Sequence, residues 1–351
     1  MAGIVTGAKA YVTWGLESGY AQGATVDRQF GIKQAVSNFT LTNNRIDLNR
    51  LGQIETADYA YGTQSGSLGI SFVLADSVSS SISPASATES ADDIFSLIFG
   101  ADNAGVYGGL TQGDALVNSK SATINVGVDT VGAGLNTGKK VRTCKGSILN
   151  SLSISSAVGD TVNCTADFTF AKESLPTLVY ADAQPTYTTV NPYTFAHATF
   201  KGALGSASSV GTTSLELIQD AEINFGLNSE ILYQLGDFQG VDSFKRNLDI
   251  TGRFRLPWSD WVLYERVLAQ IGQGESAGTE KPNINDTDAT QTSGTADLEY
   301  MFTNGNRSMK IELGGVSITD IGITGLEPVE PIYQELTFKA KTCKITVDTT
   351  G

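Results

Sequence analysis

One histidine, His197, serves all 351 residues, which removes most side-chain proton chemistry at the outset. A Ser-His-Asp triad, a Cys-His pair and a multi-histidine metal site each need a constellation that a solitary imidazole does not provide. His197 falls among aromatic neighbours in a segment that reads as a strand, where a packing role is expected. Cysteine is also scarce. Cys144, Cys164 and Cys343 cannot all pair within one chain and match no zinc-ligand spacing, so buried thiols are expected. No apolar run approaches the ~18 residues of a membrane span. The opening "MAGIVTGAKAYVTWG" lacks the basic segment and apolar run of a signal peptide, so a soluble chain made in the cytoplasm is expected. Cations are few as well: 23 Lys and Arg face 37 Asp and Glu, a formal charge of −14. That balance opposes wrapping DNA, which requires clustered cations, but is compatible with DNA passing a repelling wall. The acidity is uneven, 11 − 15 = −4 over residues 1–180 and 12 − 22 = −10 over residues 181–351.

What is abundant is glycine, at 38 residues, together with serine and threonine, while charged residues make up only 17%. This bias favours strands and turns over helices. Segments that imitate chemistry fail on inspection. "AGLNTGKK" (Ala133 to Lys140) resembles a phosphate loop, but Ala133 occupies the first glycine position and Lys140 replaces the metal-binding hydroxyl. Asp92 and Asp93 suit the positive end of a short helix better than a glycosidase pair. Asp286 and Asp288 form an incomplete calcium loop. Four N-x-S/T sequons, beginning at Asn38, Asn163, Asn285 and Asn306, are accidents of a Thr/Asn-rich chain in the absence of an export signal. No catalytic residue, cofactor or metal site is therefore expected.

The segment "NNRIDLNRLG" (Asn43 to Gly52) returns as "LNSEILYQLG" (Leu227 to Gly236), 236 − 52 = 184 residues later. In "FTLTNNRIDLNRL", Phe39 and Leu41 share one face and Ile46 and Leu48 resume it after a phase switch at Asn43-Asn44, which predicts a bulge. "GSLGISFVL" alternates Leu68, Ile70, Phe72 and Leu74 as a half-buried strand, and "LDITGRFRL" matches it at an offset of 182, with Phe254 over Phe72. "DDIFSLIFG" predicts a short helix stopped by Gly100, answered by the longer "PWSDWVLYERVLAQIG" with Trp261, Tyr264, Val267 and Leu268 as its stripe. "GSILNSLSISS" and "TVNCTADFTFAK", joined at Gly159-Asp160, are answered by "GGVSITDIGITG" and "IYQELTFKAK". The elements recur in order as the offset drifts from 184 to 168, the signature of an internal duplication. A proline-containing stretch, 173–192, reads as the linker. The modules are 1–178 and 179–351, and the fold class is mainly β.

Taken with "GLESGYAQGA", the long strand pair ending in Leu-Gly, the second strand pair, the short helix and the closing hairpin, the chain resembles the major tail tube proteins of tailed viruses. The likeness rests on element order, repeated twice, rather than on a signature residue. It implies two tandem β-sandwich or barrel modules, each with a flanking α-helix, in a self-assembling virion protein. Copies would form stacked rings, and other tail proteins would be partners. Viral DNA would transit the lumen without specific binding, and assembly would occur in the host cytoplasm. Two modules per chain imply a ring of three chains with pseudo-sixfold symmetry. The loops after the matched Leu-Gly, Gln53–Ser65 and Asp237–Phe244, would reach neighbouring subunits, with Tyr59, Tyr61 and Phe238 as self-assembly anchors. The alternatives are a secreted or surface filament or sheath subunit, and a capsid-decorating or carbohydrate-binding β-sandwich.

Overall fold

The structure, a computed structural model, describes residues 4–5, 10–26, 28–48, 58–75, 94–100, 105–110, 120–128, 130–131, 140–174, 192–202, 218–258, 297–305, 307–325 and 331–348. Strands dominate. The first half contains β1 (Ile4–Val5), β2 (Tyr11–Leu16), β3 (Ile32–Leu48), β4 (Asp58–Val73), β5 (Val106–Gly109), β6 (Ala122–Val128), β7 (Thr130–Val131), β8 (Lys140–Ala157), β9 (Asn163–Phe170) and β10 (Lys172–Ser174). The second contains β11 (Ala198–Gly202), β12 (Asp220–Gly226), β13 (Ser229–Tyr233), β14 (Gly240–Lys245), β15 (Asp249–Pro257), β16 (Leu298–Asn304), β17 (Arg307–Gly314), β18 (Ser317–Thr324), β19 (Tyr333–Ala340) and β20 (Thr342–Asp348). A short helix, α1 (Ser96–Phe99), lies between β4 and β5 and stops at Gly100, whose φ of 88° only glycine adopts freely.

One antiparallel run crosses the whole molecule in the order β3-β4-β9-β8-β12-β15-β19-β18. Its apolar side packs on residues from the other strands: β2, β6 and the first part of β8 in one half, and β11-β16-β17-β20-β5 in the other. Strand alternation explains the packing. In β4 the inward Leu68, Ile70 and Phe72 are buried, and in β9 so are Cys164, Ala166, Phe168 and Phe170. Phe30 joins Trp14, Phe72 and Phe168 at ring distances of 5.5, 5.8 and 5.7 Å, and Phe254 joins Phe200 and Phe338 at 5.3 and 6.1 Å. All belong to one continuous core.

A buried carboxylate fixes the first turn. Glu17 accepts hydrogen bonds from the Ala21 amide (2.9 Å), Ser121 Oγ (2.6 Å), Thr123 Oγ1 (2.7 Å) and the Gly146 amide (3.1 Å). One residue thereby joins β2, β6, β8 and the turn that follows β2. Isolated buried charge is costly, and four donors offset that cost.

From Thr40 onward in β3 the two halves share strand register, whereas between Ser37 and Thr40 β3 bulges and β12 runs unbroken against β15. In the hairpin of β3 and β4 the pairs are Thr40–Ser67, Leu41–Gly66, Thr42–Ser65, Arg45–Tyr61, Ile46–Ala60, Asp47–Tyr59 and Leu48–Asp58. Moving both partners by 184 gives Asn224–Thr251, Phe225–Ile250, Gly226–Asp249, Ser229–Lys245, Glu230–Phe244, Ile231–Ser243 and Leu232–Asp242, all of which are paired. The bulge expected at Asn43-Asn44 is present, and at the matching place the second half breaks between β12 and β13, where Asn228 has a φ of 46°. The run from Gly66–Phe170 to Val73–Asn163 becomes Ile250–Ala340 to Pro257–Tyr333, and Leu149–Phe168 becomes Ile318–Phe338. Both β8 and β18 then bulge at the matching residue, Asn150 in one and Thr319 in the other.

Several sequence expectations need correction. The register sets Phe72 against Leu256, and Phe254 against Ile70, an offset of 184 rather than 182. A slip of two preserves which face each side chain occupies, so alternation alone does not detect it. Likewise the closing strands correspond at offsets of 169 and 170, not 168. His197 sits in a 3-10 turn, Phe195–His197, rather than a strand. Its Nδ1 accepts from the Thr194 amide at 3.1 Å, so local capping sets the turn. Of the expected linker, Glu173 and Ser174 belong to β10 and 175–191 lie outside the described residues, as do Asp92, Asp93, residues 133–139, the second helix at 259–271, Asp286 and Asp288.

Candidate assembly surface

The halves meet where β8 pairs with β12, from Ser151–Gly226 to Ala157–Asp220. The Leu227 amide donates to the Asn150 carbonyl at 2.8 Å, Ser229 Oγ to the Leu149 carbonyl at 2.8 Å, and Ser153 Oγ to Glu222 Oε1 at 3.1 Å. On the apolar side Leu152, Ile154, Ile223 and Phe225 are buried, and Phe225 meets Phe99 of α1 edge-on at 6.4 Å. Farther along, Ile231 seats against Tyr20, Ala21, Ile148 and Ala171. Lys245 Nζ donates to the Leu97 and Ile98 carbonyls of α1, and burial pulls its pKa down to about 8.

The sheet ends are different. Among the described residues β3 and β18 close the run, each bonded on one side only. β3 is a long edge carrying the exposed apolar residues Val36, Leu41, Ile46 and Leu48. Such an edge is a template for another strand.

The outward face of the same sheet is polar. Ser153, Asn224, Thr251 and Lys339 form one row across four strands. Arg253 and Lys339 are held by carboxylates, whereas Arg255 lies over the Tyr333 ring at 4.1 Å. Arg253 bonds Glu222 at 2.8 Å and Glu335 at 3.2 Å, with Asp220 at 3.8 Å, and Lys339 lies 3.7 Å from Asp249. Burial raises the Glu222 carboxyl, but hydrogen bonds from Arg253, Asn224 and Ser153 outweigh it and leave the pKa below the usual value.

Of the three sequence-chosen anchors, Tyr59 and Tyr61 belong to β4 rather than to the expected loop at 53–65, since residues from Asp58 pair with β3, and register sets them opposite Asp47 and Arg45. Their side chains lie outside the described residues. Phe238 is 55% exposed, in the loop between β13 and β14, and its carbonyl accepts from the Gln64 amide at 2.8 Å. The structure thus brings the second-half loop to β4 of the first half. Sequence reasoning missed Leu41, Leu235 and Ile231. Leu235, fully exposed, lies in the same β13–β14 loop as Phe238 and was visible as part of the repeated Leu-Gly. Glu17 was also missed, although it lies inside "GLESGYAQGA".

Little here can perform chemistry. Among the described residues no three His, Cys, Asp or Glu side chains group as metal ligands, and no helix is long and apolar enough to cross a membrane. All three cysteines are free and buried, and burial raises each thiol, Cys144 to about 12. A thiol held protonated is a poor nucleophile. A family model described as "Phage tail tube protein" matches residues 7–340. No curated protein is significantly similar to the chain.

Proposed function

The chain belongs to the phage tail tube protein family, a structural and non-enzymatic component of the virion tail, and from that premise we propose that it is a duplicated tube module whose copies close into rings of three. The modules are 1–178 and 179–351, each read as a β-sandwich, and they stand edge to edge within one sheet. The observation that carries this reading is the repeated register. The strand order β3-β4-β9-β8 is followed in the same sheet by β12-β15-β19-β18, with matching pairs from Thr40 onward and matching bulges at Asn150 and Thr319.

Size favours three chains. A barrel of about 8 strands is filled by its own side chains, so one chain closed on itself would have no bore. Three chains contribute 24 strands. At ~4.8 Å spacing and about 40° tilt these give a circumference of ~150 Å and a backbone diameter of ~48 Å, wide enough for duplex DNA. Stacked rings would form the conduit, with other tail proteins at its ends. The polar face would line the lumen, where Arg253 and Lys339, already held by carboxylates, offer little to a phosphate and the acidic balance repels it.

Side-by-side modules in one sheet favour the trimer over six chains with one module projecting outward, because both modules then lie at the same radius. The secreted filament and capsid-decorating readings have no specific observation in their favour. Electron microscopy of the purified protein tests the proposal. Tubes with a central hole are expected, and solid filaments or single particles at assembly concentrations refute it.

A further inference from the structure

We infer that β18 of one chain pairs antiparallel with β3 of the next in the register of the β8–β12 joint, and that an ion pair between Asp47 and Lys341 replaces an apolar contact of that joint. This rests on the ring reading above and names the contact between chains.

The two strands that end the sheet are the counterparts of the two that meet in its middle. β18 corresponds to β8 at an offset of 169, and β3 to β12 at 184. The in-chain pairs Ser151–Gly226, Leu152–Phe225 and Ser153–Asn224 therefore become Asp320–Thr42, Ile321–Leu41 and Gly322–Thr40 between chains. The Leu227 amide to Asn150 carbonyl bond becomes one from the Asn43 amide to the Thr319 carbonyl. Apolar exposure agrees. Leu152 and Phe225 are 1% and 0% exposed inside the joint, whereas Leu41 is 43% exposed at its open edge and Ile321 is half-buried. A head-to-tail contact of this kind closes a ring when its rotation permits.

The ion pair follows from the same correspondence. Ile231 seats on Ala171 and Ile148 across the in-chain joint. Ile231 corresponds to Asp47, since Ile231–Ser243 matches Asp47–Tyr59. Ala171 corresponds to Lys341, since the flanking pairs Gly66–Phe170 and Lys172–Lys145 match Ile250–Ala340 and Thr342–Gly314. The Ala171 amide also bonds the Lys145 carbonyl at 3.2 Å, as the Lys341 amide bonds the Gly314 carbonyl at 3.0 Å. Both Asp47 and Lys341 are exposed in the single chain. Two apolar partners at one joint thus become an acid and a base at the other. The exchange gives the joints different chemistry, so Ile231 set against Lys341 of another chain is a mismatch, which discourages wrong pairings.

Two sets of variants test this. Thr40→Cys combined with Gly322→Cys places thiols on directly opposed residues, where antiparallel Cα separations of about 4.5–5.5 Å suit a disulfide. Thr40 is exposed, and a Cβ on Gly322 meets its nearest atom, the Glu335 carbonyl oxygen, at 3.8 Å. The three native cysteines are buried and do not compete. Oxidised tubes should yield covalent trimers on non-reducing gels, and neither single variant should. Asp320→Cys with Thr42→Cys provides a second pair if the first does not fold. Asp47→Lys or Lys341→Asp alone should raise the assembly threshold about tenfold, with recovery in the double exchange. Tubes that form without crosslinking by either pair overturn the register while leaving the ring reading intact. Crosslinking without charge-exchange recovery overturns the ion pair. Covalent ladders that run past the trimer keep the joint and overturn the closed ring of three, and a wild-type protein that forms no tubes overturns the ring reading itself.

Discussion

Leu41 and Phe225 occupy the same place in the two halves, yet truncating them should have opposite consequences. Phe225 is 0% exposed, between the two halves of the core, and Phe225→Ala leaves a cavity that costs ~3–5 kcal/mol of folding stability. Leu41 is 43% exposed in the single chain, so Leu41→Ala removes contacts that are only partly made and should cost folding about 1 kcal/mol or less. Its remaining exposed surface is buried only when β18 of another chain arrives. With ~2–3 kcal/mol for complete burial of a leucine, the uncovered share is worth ~1 kcal/mol per joint. Three joints per ring give ~3 kcal/mol, about two orders of magnitude in the ring-forming equilibrium. Denaturant unfolding of the dilute protein and sedimentation of assembled tubes separate the two effects. The reasoning fails if Leu41→Ala lowers unfolding stability as much as Phe225→Ala, or if it leaves the assembly threshold unchanged.

Other outcomes follow from the same geometry. Lys245 has a folded pKa of about 8 against 10.5 ordinarily, so between these values the unfolded chain binds more protons and stability rises with pH. From pH 8 to 9.5 the gain should be about 1–2 kcal/mol in thermal or urea unfolding, and Lys245→Met should flatten that slope. Glu222→Gln with Glu335→Gln releases Arg253 on the polar face; assembled tubes should then retain DNA in a salt-dependent manner where wild-type tubes do not, as a filter or co-sedimentation assay reads. Tyr59→Ala with Tyr61→Ala should leave a folded subunit that assembles poorly, at ~2 kcal/mol or more per anchor, whereas loss of the β-type circular dichroism signal would make them core residues.

Much of the fold was legible because alternation and turn chemistry are local. Leu68, Ile70 and Phe72 declared a half-buried strand, Asn43-Asn44 a bulge, and Gly100 a helix stop. The likeness of the two halves was legible in order but not in register, because a two-residue slip between Phe72 and Phe254 leaves every side chain on its proper face. The edge-to-edge joint was not legible. It depends on which strands remain unpaired, a non-local property, and its partners Leu152 and Phe225 resemble any other core residues in sequence. Aromatic character points to Tyr59, Tyr61 and Phe238 as anchors, while Asp47 and Lys341 carry no local signal at all. Their interest appears only once the pairing aligns them with Ile231 and Ala171.

The central claim is that three two-module chains close one ring, and mass per unit length with a reconstruction of the assembled tube tests it most directly. Each chain weighs 37.0 kDa, so the account predicts about 111 kDa per ring and six similar lobes around the axis. A value near 222 kDa per ring, with one module lining the bore and its twin projecting outward, would contradict it.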